Sequence, residues 1–348
     1  MDTQIRFPEI KPLHIKRYAQ IIATGVGLPD KVVTNQDIID QFNIIATDRA
    51  VQYSLGIKER RWVEIHDKLD DIMARAVKSC LERAGMEINQ VSRIIYTRLL
   101  GDYQVPAASV GLLRKLDAAT GIPAFDISSA CSGFMHAMDL ALRFIATGDE
   151  YVLVIGGGIT SSGIQAWKKP NPKTVFLFGD AFVAMLIGAS KTKHFLASYI
   201  ITNHKLYDNA FIPCGTRLLR GNITNLENDF DIFNMKIADG NLVQQSAVEY
   251  ARVIAGKLLS ATGLSLEDLD YFVTSDQSTR IWETQLQALG IPASKSLSLF
   301  YKYGNTVAAM SPLNLDGLIQ SGRLKRGNLV MMMAHGAGAS SGGMIFRY

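Results

Sequence analysis

The residues with the most chemistry in this 348-residue chain lie at 125–134: Phe125-Asp126-Ile127-Ser128-Ser129-Ala130-Cys131-Ser132-Gly133-Phe134. An apolar run, a string of small residues, a cysteine and then a helical pattern put Cys131 at a strand-to-helix turn, its sulfur facing the helix N-terminus. Free backbone N–H groups and the positive end of the helix dipole favour a thiolate there. Small neighbours let the chain bend sharply and leave room for a substrate. A buried structural cysteine would show the same local pattern, because free cysteine is among the most buried residue types. Of the other two cysteines, Cys80 falls on an apolar helix stripe, a core position, and Cys214 precedes Gly215 in an irregular stretch. Three cysteines with no CxxC pair and no Cys/His spacing argue against a disulfide framework and against a metal site. They fit a reducing, cytoplasmic compartment.

A nucleophile at such a turn needs strands to deliver it and helices to back it, and the patterning supplies both. Segments 18–27, 92–97, 124–127, 151–155, 175–178 and 181–187 read as strands. Between them, 68–84, 107–116 and 133–146 read as helices. In 68–84 the residues Leu69, Ile72, Met73, Ala76, Val77, Cys80 and Leu81 share one face. Thr34 caps a helix with Asp37 in its first turn. A second series follows: strands at 195–202, 270–274 and 328–334, an extended piece at 296–298, and an edge strand at 343–347. Its helices are expected at 241–261, 280–289 and 308–321, with a new element starting at 264–268. Strand and helix alternate throughout, so the class is α/β. The two series match in outline, which suggests internal duplication into halves at 18–190 and 191–348. Residues 205–240 match neither half and read as an irregular cap.

Composition excludes several classes. The net charge is +4 with acids and bases nearly balanced, too mild for a nucleic-acid binder. Basic clusters at 58–61, 168–169 and 323–326 would suit an anionic carrier or a CoA phosphate, or are solvated surface. The N-terminal 17 residues lack the apolar stretch of a signal peptide, and no run of about 18 apolar residues marks a membrane span.

The Asp-Ile-Ser-Ser-Ala-Cys-Ser-Gly-Phe segment resembles the nucleophile motif of the β-ketoacyl-ACP synthase III family, of the thiolase superfamily. Four further segments agree in order. Gly56-Ile57-Lys58-Glu59-Arg60 resembles Gly-Ile-Arg-Glu-Arg, and Leu177-Phe178-Gly179-Asp180 resembles Phe-Gly-Asp-Gly. Tyr303-Gly304-Asn305-Thr306 resembles His-Gly-Asn-Thr, and the Gly322–Gly327 turn resembles Gly-Arg-Ile-Lys-Pro-Gly. The resemblance runs from about residue 18 to the end. It implies a five-layer αβαβα thiolase-like fold of two duplicated halves, a homodimer, no cofactor, and acyl-carrier-protein or CoA thioesters as substrates. It further implies that Cys131 takes up an acyl group and passes it to a second substrate. The backbone N–H groups of Cys131 and of a glycine in Gly336-Ala337-Gly338 would form the oxyanion hole.

The pattern breaks at the family's Cys-His-Asn triad. Asn305 matches the asparagine. The segment His-Gln-Ala-Asn-x-Arg-Ile becomes Asp276-Gln277-Ser278-Thr279-Arg280-Ile281, one residue short, which puts Asp276 at the histidine position. An ionised Asp276 cannot donate a hydrogen bond to a developing enolate, but it can accept a proton from an alcohol, amine or carbon acid. His335 stands where the family has phenylalanine and is expected to approach Cys131 or Asp276, or else to fill the core. His136 is expected to point away. Ala50 and Pro172, with Lys173 beside it, replace the Trp and Arg that hold a CoA adenine, leaving a carrier protein the more natural donor. Val105 falls where a bulky residue shortens the acyl pocket across a dimer. Three readings stay open: condensation with an acceptor thioester, acyl transfer to oxygen or nitrogen, and a non-catalytic partner subunit.

Overall fold

The computed structural model describes residues 17–101, 103–166, 171, 174–213 and 235–348. Apolar strands too hydrophobic to face water on either side form two stacked sheets. The first contains β1 (Tyr18–Gly27), β2 (Arg93–Thr97), β3 (Ala124–Ile127), β4 (Tyr151–Gly158) and β5 (Ala181–Ser190), in the order β1-β5-β4-β2-β3. The second contains β6 (Phe195–Thr202), β7 (Tyr271–Val273), β8 (Leu329–Gly336) and β9 (Ser340–Arg347), in the order β7-β8-β9-β6. In the first sheet β2, β3 and β4 run parallel, while β5 pairs antiparallel with both β4 and β1. In the second, β7 and β8 run parallel, while β9 pairs antiparallel with both β8 and β6. The same connectivity thus occurs twice, as the duplicated patterning suggests.

Helices complete five layers. Helices α1 (Leu69–Ala84) and α2 (Ala108–Lys115) cover the outer face of the first sheet through one apolar cluster that includes Ile72, Val77 and Cys80. Helices α3 (Gly133–Ala146) and α6 (Met310–Gln320) lie between the sheets, where Phe134, Met138 and Leu315 pack against Val154, Val330 and Met332. Helices α4 (Gly240–Thr262) and α5 (Thr279–Leu289) cover the outer face of the second sheet. A helix between two sheets needs a broad apolar surface, and α3 supplies it with buried Phe134, Met135, Ala137, Met138, Ala141 and Ile145, while Asp139 and Arg143 pair on its remaining face. Cys80 is a core residue, its sulfur bonding to the Ala23 carbonyl at 3.4 Å. No helix among the described residues is long and apolar enough to cross a membrane.

Four expectations fail locally. Residues 175–178 form a turn, not a strand, and Phe178 only bridges to Asn305. The chain there is held by longer-range bonds: Arg60 donates to the Phe176 carbonyl at 2.7 Å and Trp62 Nε1 to the Phe178 carbonyl at 3.0 Å. Residues 296–298 belong to no strand, so the second sheet lacks a counterpart of β3. Residues 264–268 close a turn in which Ser265 N donates to Asp268 at 2.8 Å, rather than opening an element. The last strand is not an edge: β9 runs from Ser340 and sits between β8 and β6, which explains its almost uniform burial. The Cys214-Gly215 turn, Lys168-Lys169, Pro172 and Lys173 lie outside the described residues.

Candidate active site

Cys131 lies in a 3-10 turn, Ala130–Ser132, between β3 and α3. Ala130 adopts φ +46°, a left-handed conformation that costs a non-glycine residue energy. The turn is pinned from behind. A Cβ on Gly336 would come within 2.9 Å of Ser132 N and 3.1 Å of Cys131 N, so only glycine lets the end of β8 press against the nucleophile's backbone. On the flank, Ser129 Oγ lies 3.2 Å from Ser132 Oγ and 3.1 Å from Ser340 Oγ. His136 Nε2 reaches Ser340 Oγ at 3.0 Å. His136 thus joins the hydroxyl cluster on the flank of the nucleophile turn, does not line the cavity that holds Cys131, and has its pKa lowered by burial.

Asn305 arrives on a loop stitched to the first half: its N–H donates to the Leu177 carbonyl at 2.8 Å, and its own carbonyl accepts from Gly179 N at 3.2 Å. Its Oδ1 accepts from Val307 N at 2.8 Å, which leaves the amide N–H₂ to hydrogen-bond the Cys131 sulfur. That bond and the cysteine's own backbone N–H favour the thiolate, but burial outweighs them and pushes the thiol up to about 12. The free thiol is therefore protonated at neutral pH, contrary to the thiolate that the helix terminus alone suggests.

Cys131, Asn305 and His335 line one cavity of about 230 Å³ together with Gly336, Ala337 and Gly338. Apolar side chains including Leu177, Phe178, Ile237, Val243 and Ile281 form most of the remaining wall. Asp276 is not part of it. Cys131, Asn305 and His335 keep 5–6 % exposure, while Asp276 has 0 %. Asn314 Nδ2, from α6, donates to Asp276 Oδ2 at 2.7 Å and to the Thr274 carbonyl at 3.1 Å, tying the loop after β7 to the central helix. Burial pushes the Asp276 carboxyl up to about 7, against the hydrogen bonds from Asn314 and Ser298. Counted back from Arg280-Ile281 without dropping a residue, the motif's His-Gln pair falls on Ser275-Asp276. Ser275 Oγ accepts from His335 N at 2.9 Å. The next residue, Gln277, faces the cavity, its Nε2 donating to the His335 carbonyl at 2.9 Å. The placing of Asp276 at the reacting carbon is thus corrected: its carboxyl lies outside the cavity lining, with Oδ2 bound to Asn314 and Oδ1 buried without a hydrogen-bond partner.

His335 reaches the cavity but not, through its ring nitrogens, Cys131 or Asp276. Nδ1 lies 2.6 Å from Ser341 Oγ on β9, and Nε2 lies 3.1 Å from Ser246 Oγ on α4. Burial lowers its pKa to about 4, so the ring is neutral. Ser246 and Ser341 carry no local sequence signal, and Gln277 stands out only as part of the motif before Arg280-Ile281; all three meet His335 through folding. Val105 lies on the surface, 81 % exposed, and does not line the cavity of the single chain. Among the described residues, no group of three or more His, Cys, Asp or Glu side chains is arranged to hold a metal ion.

The family pattern of 3-oxoacyl-[acyl-carrier-protein] synthase III matches residues 125–204, and that of its C-terminal part matches residues 259–348. The β-ketoacyl-[acyl-carrier-protein] synthase III of Pseudoalteromonas atlantica is 32 % identical over 335 residues, covering 95 % of this chain and 99 % of the relative. The chain belongs to the β-ketoacyl-acyl-carrier-protein synthase III family. The synthase III of Alkalilimnicola ehrlichii is 30 % identical over 331 residues, 95 % of this chain and 99 % of its own. The crystal structure of the Aquifex aeolicus synthase III superposes with a TM-score of 0.84 at 29 % identity, covering 95 % of this chain and all of that one. As a synthase III family member the protein is an enzyme of the acyltransferase class with the thiolase-like fold. Beside the sulfur stands the Asn305 amide, and the imidazole on the same cavity wall is that of His335.

Proposed function

We propose that this synthase III carries an acyl group as a thioester on Cys131 and condenses it with an acceptor held on an acyl carrier protein or CoA. The observation that carries this reading is Cys131 in the wall of a largely apolar cavity with the Asn305 amide bonded to its sulfur. Apolar walls suit a fatty acyl chain. In the first half-reaction the sulfur attacks the donor thioester and a C–S bond forms. The carrier's C–S bond breaks, and the thiol proton passes to the departing thiolate. The tetrahedral oxyanion is stabilised by the N–H of Cys131 and one from the Gly336–Gly338 turn, donors of a kind worth about 10²–10³ in rate. In the second half-reaction the acceptor carbon attacks the acyl carbonyl and the Cys131 thiolate leaves. Asn305 donates to the acceptor's thioester oxygen while enolate charge develops.

The removal of Asp276 from the wall supports condensation over transfer to an alcohol or amine, because the carboxylate expected to serve that transfer is sealed away. In this reading the enzyme works as a homodimer, the donor is a carrier protein, and Lys173 helps to hold it. Incubation with octanoyl-ACP or octanoyl-CoA followed by intact mass measurement tests the proposal. Wild type gains one octanoyl group and Cys131→Ala gains none. A wild-type chain that stays unmodified is a non-catalytic subunit, and the covalent reading falls.

A further inference from the structure

A decarboxylating condensation needs no base, because loss of CO₂ generates the carbanion. A condensation that keeps all its carbons does need one, since the acceptor must surrender a C–H proton. The site lacks the family histidine beside the sulfur, yet it holds an imidazole elsewhere on the same cavity wall. That imidazole is gripped at both nitrogens by hydroxyls: Ser341 Oγ at 2.6 Å from Nδ1 and Ser246 Oγ at 3.1 Å from Nε2. Ser341 is fully buried. Ser246 lines the cavity, and its hydroxyl can also donate to the Val243 carbonyl at 3.0 Å. The imidazole is fixed in place. Its backbone N–H donates to Ser275 Oγ at 2.9 Å, its carbonyl accepts from Gln277 at 2.9 Å, and its ring meets Tyr250 edge-on with centroids 5.7 Å apart.

We infer that Ser246, His335 and Ser341 form a proton relay that deprotonates an acceptor bearing an acidic C–H between two carbonyls, that is, a β-ketoacyl thioester rather than a malonyl one. The inference rests on Cys131 carrying the acyl group. The balance is as follows. An Nδ1–H held on Ser341 leaves the Nε2 lone pair facing Ser246. The acceptor's C–H proton passes to Ser246 Oγ as the Ser246 proton passes to Nε2, and the ring becomes imidazolium. The carbanion forms a C–C bond to the acyl carbonyl and the C–S bond to Cys131 breaks. The thiolate is then reprotonated by the imidazolium through Ser246, so every group returns to its starting state and no CO₂ is released. Ser246 touches substrate, His335 accepts the proton, and Ser341 positions the ring. Burial keeps the ring neutral at rest and makes the imidazolium, once formed, strongly acidic, so that it hands its proton on to the thiolate.

The test separates the two half-reactions. Enzyme loaded with octanoyl-CoA is followed by intact mass, then challenged with 3-oxooctanoyl-ACP or malonyl-ACP while CO₂ and product mass are measured. Wild type is expected to load, and to discharge to 3-oxooctanoyl-ACP without CO₂. His335→Phe, His335→Gln and Ser246→Ala are expected to load but to discharge about 10²-fold more slowly to that acceptor, while Ser341→Ala loses about 10-fold. Loading in the same sample reports that each variant is folded. Discharge at the wild-type rate by either His335 variant overturns the relay, as does a wild type that discharges only to malonyl-ACP with loss of CO₂; both leave the covalent reading intact. A wild type that does not load overturns the covalent reading and the relay with it.

Discussion

At the scale of single residues, burial decides the chemistry more than residue type does. Cys131 stands at a helix start, yet desolvation holds its thiol at about 12. Its alkylation by iodoacetamide is therefore expected to quicken about tenfold per pH unit from 7 to 10, following the thiolate fraction. A plateau by pH 8 would contradict a desolvated thiol. Asp276 obeys the same rule with the opposite consequence for stability. Its carboxyl rises from an ordinary 3.8 to about 7 in the fold, so the folded state holds a proton that the unfolded chain has lost between those values. Its favourable contribution is complete below pH 3.8 and is lost as pH rises through 7, a swing of roughly 4 kcal/mol at about 1.4 kcal/mol per unit. Asp276→Asn is accordingly expected to be markedly more stable than wild type at pH 8, with the gain vanishing towards pH 4, in urea titrations at both values. Octanoyl loading of Cys131 should not change, because the carboxyl lies behind the cavity wall. A variant that loads poorly while folding well would return Asp276 to the reaction.

At the scale of elements, the site is a contact between ends. The turn before α3, the end of β8 and the loop carrying Asn305 converge because each is short of side-chain bulk where it meets the next. Gly336 is the tightest of these contacts, with no room for a Cβ against Ser132 N. Gly336→Ala must push the nucleophile turn and the end of β8 apart. Overpacking of this kind costs about 1–3 kcal/mol. The expected outcome is a modest fall in Tm with a fall of about 10²-fold in octanoyl loading, since the displaced turn carries the N–H groups proposed as oxyanion donors. Wild-type loading in a folded Gly336→Ala variant would show that this turn does not set the carbonyl's position.

At the scale of the whole molecule, the two sheets and their helices are well buried, while large apolar side chains stay exposed at several places, Ile45, Tyr53, Ile65 and Tyr207 among them. Tyr103, Val105 and Val110 are 69 %, 81 % and 47 % exposed around one short stretch. A homodimer, as proposed, would cover a surface of this kind. Sedimentation equilibrium is expected to give twice the chain mass for wild type, and Val105→Asp to shift it towards the monomer. A wild-type monomer at micromolar concentration would remove Val105 from any part in a neighbour's acyl pocket.

The periodic parts of this protein were legible from its residues. Alternating strand and helix patterns gave the class, the strands of the two main sheets and the helices packed on them, because burial leaves continuous apolar runs, whereas short elements such as the strands Val32–Thr34 and Glu59–Arg61 and the helix Asp48–Leu55 were not legible. The Phe125–Phe134 segment likewise located Cys131, since a strand, small residues and a helix in sequence can only make a turn there. Short extended pieces misled: residues 175–178 and 296–298 have strand-like composition, but their backbone partners lie far away in the chain. Only the tertiary structure places the Asp276 carboxyl outside the cavity and the His335 ring on its wall. Whether a carboxyl faces a cavity or the back of its wall turns on one residue of register, and the hydroxyls that hold an imidazole came from a helix 89 residues away and from the adjacent strand. Local sequence fixes which groups are available, while desolvation and orientation, which set what those groups can do, belong to the packed whole.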